Sequence, residues 1–250
     1  MRCIDLFCED KLQPLSTQIL RWILNEMKNG IYQNTERLPP EVEIASLLRV
    51  SRTAVRDAMS TLEREGFVTR KHGMGTIINR HVLEVTMRLD LEKEFLDMIS
   101  DIGKTPSADF VRIMKAHATA EQAKWLNLQP GDMVICVDRV IRADAVPAIY
   151  CNDVFDARLI RDTHYTMEDL QTPIFDFLQK FCGVEIYMDL SQIHAVNADE
   201  FLAQMLNVPK GAALLHLDER GYSIDGELLL YSSEYYREGI IDHTILRKKI

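Results

Sequence analysis

The sequence lacks the features of several classes of protein. Its 250 residues contain no apolar run that approaches the ~18 residues of a membrane-spanning helix. The opening residues, MRCIDLFCED, are too acidic and their apolar stretch is too short for a secretory signal. We therefore expect a cytoplasmic protein without a membrane partner. The composition, 47% hydrophobic and 27% charged, indicates a globular chain of one large domain or two ordinary ones.

Signals for metal binding and for common catalytic chemistry are also missing from the sequence. The five cysteines form no CxxC pair, and the seven histidines lack the spacing of metal ligands. No GxSxG motif, phosphate-binding loop or dinucleotide fingerprint is present. We predict buried reduced thiols, no cofactor and no metal site.

Charge is divided unevenly along the chain, whose formal net charge is -9. Residues 1–80 carry 12 Lys and Arg against 10 Asp and Glu (+2), whereas residues 81–250 carry 17 against 28 (-11). Only the first region can approach a polyanion without strong repulsion. The acidic balance argues against a sequence-blind DNA binder, because such binding depends on neutralising many phosphates.

The first 80 residues predict three helices and a hairpin. Apolar residues recur four apart in PLSTQILRWILNEMKNG, a second helix begins at Pro40, and Ser51 caps a third helix from Arg52 to Glu65. The strands FVTRK and TIIN flank the tip HGMG. This order, with a three-residue turn before the third helix, predicts a winged helix-turn-helix.

The third helix carries the main predicted DNA contacts. Its apolar positions face the core at helical spacing, which leaves Arg52, Thr53 and Arg56 outward at the N-terminal end. Such a helix fits the major groove, where arginine can donate two hydrogen bonds to guanine, and the slim basic tip fits the minor groove. The alternative is a winged helix that mediates protein contacts only. The predicted DNA-binding residues are Arg37, Ser51, Arg52, Thr53, Arg56, Lys71, His72, Gly73 and Gly75.

The segment LPPEVEIASLLRVSRTAVRDAMSTLEREGFVTRKHGMGTII resembles the DNA-binding domain of GntR-type bacterial transcription regulators. The family pattern runs LPSERELA, VSRTTVRxAL, LExEGxI and GxGTxV, and the match spans about residues 14–78. The resemblance implies that Arg52, Thr53 and Arg56 read bases or phosphates and that the segment from His72 to Gly75 is a minor-groove wing. Val42 stands where the family often has another arginine.

Two later stretches, residues 119–155 and 197–236, share one plan of a short capped helix, a Pro and Gly turn and two strands. Asn127 and Gly131 recur 80 residues later as Asn207 and Gly211. Two such halves predict one antiparallel sheet with approximate two-fold symmetry and a cleft at their junction. The predicted fold class is α+β.

Residues 92–247 resemble the UTRA effector-binding domain of the HutC subfamily of these regulators, through GKTPSADF, RVIRADAVP and DGELLLYSSEYYREG. The resemblance implies a chorismate-lyase-like fold that binds a small-molecule effector without turnover. We predict a DNA-binding domain at 1–78, a linker at 79–94, and an effector-binding and dimerisation domain at 95–250. The predicted function is a repressor that binds a double-stranded operator of palindromic half-sites as a homodimer.

The resemblance also implies a set of pocket residues and a restriction on the effector. Relatives that bind phosphorylated sugars have a Ser beside a Phe where this chain has Glu94 and Phe95, and carboxylates where it has Cys151 and Leu230. A carboxylate would repel a phosphate dianion, so we expect a less polar effector or a positive amine, not a hexosamine phosphate. The predicted effector-binding residues are Glu94, Phe95, Arg139, Cys151, Leu230, Tyr231 and Tyr236.

The alternative function is an enzyme of chorismate-lyase-like fold with a DNA-binding appendage. Its candidate residues in the cleft are Glu185 with His194, or Glu219 with Arg220.

Overall fold

A computed structural model describes residues 14–91, 93–166, 168–169 and 173–249. The chain divides into two units: one runs to Thr86 and takes in the segment from Leu246, and the other runs from Met87 to Ile245. The predicted linker, 79–94, is thus divided between the two units. Residues 1–13, which include Cys3 and Cys8, lie outside the described residues.

The first unit contains three main helices, a helical turn and a small sheet. Its helices are α1 (Leu15–Asn29), α2 (Glu41–Leu48), α3 (Arg52–Arg64) and the turn α4 (Arg80–Leu83). Its strands are β1 (Arg37–Leu38), β2 (Val68–Lys71) and β3 (Gly75–Ile78), in the antiparallel order β1-β3-β2. The predicted winged helix-turn-helix is confirmed.

The core of this unit follows the helical spacing of the sequence, with Ile19 and Ile23 of α1 packed with Val55 and Leu62 of α3. Ser51 caps α3 as predicted, since its Oγ accepts a hydrogen bond from the backbone N of Ala54 at 3.1 Å. Helices α2 and α3 each differ from the predicted bounds by one residue at one end.

Arg80 lies in the predicted linker but fixes the end of α1. Its guanidinium donates hydrogen bonds to the carbonyl oxygens of Met27 (2.6 Å), Thr35 (2.5 Å) and Tyr32. The carbonyl groups of a last helical turn lack partners within the helix, and a cation also suits the negative end of the helix dipole. Arg80 therefore takes part in the packing of the first unit.

The C-terminal segment makes a similar contact at the end of α3. Nζ of Lys248 donates hydrogen bonds to the carbonyl oxygens of Glu63 and Arg64, both at 2.6 Å. Leu246 packs against Gly66, which has a φ of 84° and leaves no room there for a Cβ atom. The last residues, predicted as part of the second domain, thus cap α3.

The second unit is a six-stranded antiparallel sheet with short helices. Its strands are β4 (Pro106–His117), β5 (Met133–Ala143), β6 (Val146–Asp156), β7 (Met188–Asn197), β8 (Ala213–Tyr222) and β9 (Leu228–Arg237), in the order β4-β5-β6-β9-β8-β7. Its helices are α5 (Phe95–Asp101), α6 (Ala120–Trp125), α7 (Ile174–Phe177), which continues as a π-helical turn to Cys182, and α8 (Glu200–Leu206). In the described part of the chain, no helix is long and apolar enough to span a bilayer.

The two halves of this sheet repeat each other, as predicted. The elements β4-α6-β5-β6 and β7-α8-β8-β9 meet at the pair β6–β9. Asn127 and Asn207 both have a left-handed backbone, with φ of 59° and 50°. The hydrogen bond from the N of Ala118 to the O of residue 132 has its counterpart, 80 residues later, from Ala198 to residue 212. The approximate two-fold symmetry is confirmed.

Helices cover both faces of this sheet. On the α5 face, which α5 and α7 cover, Met98 packs with Ile149 and Phe177 with Phe155. On the opposite face, α6 and α8 bury side chains such as Leu206. The free thiols of the described residues, those of Cys136, Cys151 and Cys182, are buried as predicted.

We expect the variant Arg80→Ala to lower the free energy of unfolding of the first unit by about 2–3 kcal/mol, because three carbonyl groups lose a charged donor. Urea denaturation of the full chain, followed by circular dichroism, measures the change. Arg64→Ala is the matched control, since its side chain is 72% exposed and pairs only with the adjacent Glu65 among the described contacts. Equal stability of Arg80→Ala and wild type would contradict the assigned role.

Candidate functional site

Helix α3 presents cationic and hydroxyl groups along its N-terminal half. Ser51, Arg52, Thr53 and Arg56 are all exposed, whereas the opposite side of the helix is buried. The side chain of Arg52 is 70% exposed, and its Nε lies 3.4 Å from a carboxylate oxygen of Glu41. An exposed pair of this kind contributes little energy, so it restrains Arg52 only weakly. The surface is available to a ligand in the major-groove orientation that the sequence predicts.

The wing is a tight turn between β2 and β3. Gly73 and Gly75 have φ angles of 74° and 81°, which favour glycine, and the N of Met74 donates to the O of Lys71 at 3.0 Å. The turn residues from Lys71 to Gly75, His72 among them, are all exposed. Arg37 is exposed on β1, which pairs with β3 of the same hairpin. The predicted DNA-binding residues of the hairpin thus share one small sheet.

Arg70 joins the wing to α3, a role that the sequence analysis missed. Its guanidinium donates to Oγ of Ser60 at 3.1 Å and pairs with the carboxylates of Glu63 (3.3 Å) and Glu41 (3.5 Å). Its backbone N also donates to Glu63 at 3.1 Å. Strand alternation indicates that Arg70 and Lys71 face opposite sides, but it does not indicate which helix receives Arg70.

Two small adjoining cavities lie in the second unit, between the α5 face of the sheet and the start of α5. Each has a volume of about 20 Å³, which suits roughly one water molecule. They share the lining residues Lys93, Phe95, Glu219 and Glu234. We call the first the carboxylate cavity, because five carboxyl groups line it, and the second the apolar cavity, because methionine and leucine make up half of its lining residues.

The carboxylates of these cavities come from elements far apart in the sequence. The carboxylate cavity is lined by Glu94 before α5, Asp153 of β6, Asp189 of β7, Glu219 of β8 and Glu234 of β9. Three of these carboxylates accept a hydrogen bond from a hydroxyl group: Ser232 donates to Asp153 at 2.6 Å, Ser191 to Glu219 at 2.5 Å, and Tyr236 to Glu234 at 2.5 Å. Arg139 forms a buried ion pair with Asp153.

Two carboxylate oxygens have no such donor. Oε1 of Glu94 and Oδ2 of Asp189 are buried and accept no hydrogen bond from the described residues. Burial raises the pKa of Glu94 to about 7, against the opposing effect of Arg139. Burial and the nearby Glu219 raise the pKa of Asp189 to about 6. Both carboxyl groups therefore hold a proton more readily than carboxyl groups in water.

The structure brings six of the seven predicted effector-binding residues to the α5 face. Glu94 and Phe95 line the carboxylate cavity, and Tyr236 lines the apolar cavity. The other three stand on the same face: Cys151 is paired in register with Arg139 and with Glu234, and Leu230 packs under α7.

The seventh residue, Tyr231, faces the other way. Its ring stacks on Trp125 of α6 at a centroid distance of 4.0 Å, on the opposite face of the sheet. Neighbouring residues of a strand point to opposite faces, so Leu230 and Tyr231 do not share one pocket. The prediction that placed both in the effector site is corrected for Tyr231.

Of the residues named for the enzyme alternative, only Glu219 lines the carboxylate cavity. His194 lies 5.5 Å from His216, whose ring stacks on Tyr235 on the opposite face of the sheet. Arg220 alternates with Glu219 and pairs with Asp218. No group of three or more His, Cys, Asp or Glu among the described residues is arranged to hold a metal ion.

The sequence analysis missed Asp153, Asp189, Ser232 and Glu234. A period of two links three of them to predicted residues, since Asp153 follows Cys151, and Ser232 and Glu234 follow Leu230, whereas Asp189 lies on a strand without a predicted residue. The pairing of β6 with β9, which brings these strands together, has no such signal in the sequence.

Comparisons with known proteins agree with both units. Residues 15–78 match the model of bacterial regulatory proteins of the gntR family, and residues 101–239 match the UTRA domain. The chain is 26% identical over 227 residues to the HTH-type transcriptional repressor NagR of Bacillus subtilis (strain 168), covering 90% of each chain.

Two solved structures share the fold. The possible transcriptional regulator YydK of Bacillus subtilis has a TM-score of 0.78 at 17% identity and covers 94% of this chain and 100% of its own. PhnF of Mycobacterium smegmatis has a TM-score of 0.58 at 20% identity and covers 92% and 99%. With the UTRA match spanning more than half of its length, the chain belongs to the gntR family of bacterial regulatory proteins, in the HutC-type branch that carries a UTRA domain, and is a DNA-binding transcription regulator.

Proposed function

We propose that the protein is a homodimeric repressor that binds a palindromic operator in the cytoplasm, and that a small-molecule effector in the second unit changes its operator affinity. The observation that carries the proposal is the exposed set of Arg52, Thr53 and Arg56 on a helix whose other side is buried. The similarity to NagR, whose name describes a transcriptional repressor, favours repression.

The DNA contacts divide between two grooves. Helix α3 enters the major groove, where arginine can donate two hydrogen bonds to one guanine. The wing enters the adjacent minor groove, and its two glycines let the backbone come close to the sugars and phosphates. The major-groove group is Ser51, Arg52, Thr53 and Arg56, and the wing group is Lys71, His72, Gly73 and Gly75, with Arg37 on the neighbouring strand β1. Arg70 does not contact DNA in this proposal, because it holds the wing against α3.

Effector binding acts through the segment that joins the units. The apolar cavity is lined by Met87, Leu89 and Leu91, the first residues of the second unit after Thr86. Since each cavity has room for roughly one water molecule, a larger ligand would displace part of this wall. Coupling of this kind is of the order of 1–3 kcal/mol, which corresponds to a roughly 5- to 150-fold change in operator affinity.

One observation favours the enzyme alternative. The pKa of Glu94, raised by burial to about 7, lies in the range of a general acid or base. We propose binding without turnover, because the thiol of Cys151, on the same face of the sheet, is fully buried and burial raises its pKa well above the ordinary value, so it remains a poor nucleophile. Turnover of a bound ligand by catalytic amounts of protein would favour the enzyme.

Selection from a library of random DNA duplexes at near-physiological salt tests the DNA surface. We expect the wild type and the control Arg64→Ala, at the far end of α3, to enrich the same short palindrome. The variant with both Arg52→Ala and Arg56→Ala should lose about 30-fold or more in affinity for it, because two base-reading side chains are removed. Retention of wild-type affinity by the double variant, or no enrichment by a folded wild type, would contradict the proposal.

The stoichiometry on the selected palindrome tests the homodimer. We expect two chains per duplex in analytical ultracentrifugation, because each half-site takes one α3 and the halves lie about one helical turn, ~34 Å, apart. Scrambling one half-site should weaken binding by more than about 10-fold. A single chain bound with unchanged affinity would rule out a dimeric reader.

A further inference from the structure

The carboxylate cavity holds more negative than positive groups. Its only cationic lining residue among those described is Lys93, which forms an ion pair with Asp101 outside the cavity. Arg139 lies behind the lining and forms its ion pair with Asp153. Five carboxyl groups therefore line a small space with two cationic groups nearby, and both cations already form ion pairs.

Two of these carboxyl groups present buried oxygens that accept no hydrogen bond from the part of the chain that the structure describes. Glu94 and Asp189 both line the cavity but come from different elements, one from the start of α5 and the other from β7. A buried carboxylate oxygen without a hydrogen bond is costly, because it loses its water without replacement. The pair therefore favours a ligand that brings hydrogen-bond donors and positive charge.

The chemistry of the lining selects among cations. The described carboxylates are not arranged to hold a metal ion. An ammonium group carries three donors that can reach carboxylates on different sides, and an amidinium carries a planar set. The aromatic rings of Phe95 and Phe175 also line the cavity, and aromatic rings favour organic cations. A phosphate or carboxylate ligand would meet charge repulsion here.

The adjoining apolar cavity can receive the apolar part of an organic cation. Met87, Leu89, Leu91, Met98 and Leu217 contribute its apolar wall. The two cavities share Phe95, so one ligand can place a charged head in the first cavity and an apolar body in the second.

We propose that the effector is a small organic cation, with an ammonium or amidinium head held by Glu94 and Asp189 in the carboxylate cavity and an apolar body in the apolar cavity. This inference rests on the proposed function, because it names the ligand class of the same effector site.

The cation competes with protons for this site. The raised pKa values of Glu94 and Asp189, about 7 and about 6, mean that both groups bind protons in the empty site as the pH falls below those values. The cation requires the ionised carboxylates, so its affinity rises from about pH 5.5 to about pH 8 and its binding releases protons near pH 6.5. The charged groups around the two are Lys93, Asp97, Arg139, Asp153, Asp176, Glu219 and Glu234.

Matched probes that differ only in the head group test the proposal on the full chain. One set is phenethylamine, phenethyl alcohol and phenylacetate, and a second set is hexylamine, hexanol and hexanoate. Calorimetry gives affinity and, from buffers of different ionisation enthalpy, proton release. We expect at least one amine to bind about 10-fold or more tightly than its alcohol and its acid. The variant with Glu94→Gln and Asp189→Asn should lose this preference and the proton release, whereas Glu185→Gln, at an exposed site, should keep both.

Three results would overturn the inference: an alcohol or acid that binds as tightly as its amine, no amine that raises the unfolding temperature at millimolar concentration above its alcohol, or submillimolar binding of glucosamine 6-phosphate. Binding of the selected palindrome is measured on the same samples. If the protein binds the operator but no amine preferentially, the proposed ligand class is refuted and the proposed regulatory function is not. If the protein does not bind any operator, the proposed regulatory function is refuted. Operator binding by the double variant also shows that its first unit is folded, and circular dichroism checks the second.

Discussion

The antiparallel pairing of β6 with β9 is the interaction on which the second unit depends. It joins two halves that repeat each other and that each leave one edge strand open without the other. The same pairing sets Asp153 beside Ser232 and Cys151 beside Glu234, on the face that α5 and α7 cover. A shift of one residue in this register would turn every one of these side chains to the opposite face. The register therefore determines both the core and the composition of the cavities.

Concentrating carboxyl groups at that junction opposes folding, because each loses water. The cost is reduced in two ways: Arg139 neutralises Asp153, and hydroxyl groups supply donors to neighbouring carboxylates. For Glu94 and Asp189 the cost of burial is reduced differently: their raised pKa values allow partial protonation, which removes part of the buried charge. Replacing this polar cluster by apolar residues would be expected to stabilise an ordinary core. Its presence on an otherwise apolar face supports the proposed ligand site.

Local signals in the sequence predicted the local structure well. The cap Ser51, the buried spacing of α3 and the 80-residue repeat all depend on neighbours along the chain or on self-similarity, and all appear in the structure. Contacts between residues far apart in the sequence leave no local pattern. The hydrogen bond from Arg80 to the last turn of α1 and the meeting of carboxylates from four strands were therefore not predicted. The wrong placement of Tyr231 has a different cause. Strand alternation, applied to the neighbouring Leu230, predicts that the two residues face opposite sides of the sheet, and the sequence analysis did not apply it here.

The chain enters and leaves the second unit side by side. Arg88 and Thr244 form an isolated parallel β-bridge, in which the N of Leu89 donates to the O of Thr244 at 2.8 Å and the N of Thr244 donates to the O of Met87 at 3.1 Å. Met87 and Leu89 also line the apolar cavity. In the proposed mechanism, a ligand that displaces this wall acts on the incoming segment and, through the bridge, on the outgoing segment that continues to Lys248 and the end of α3. The proposed switch would need no chain of contacts through the sheet, because the segment that lines the cavity is itself the chain connection to the first unit.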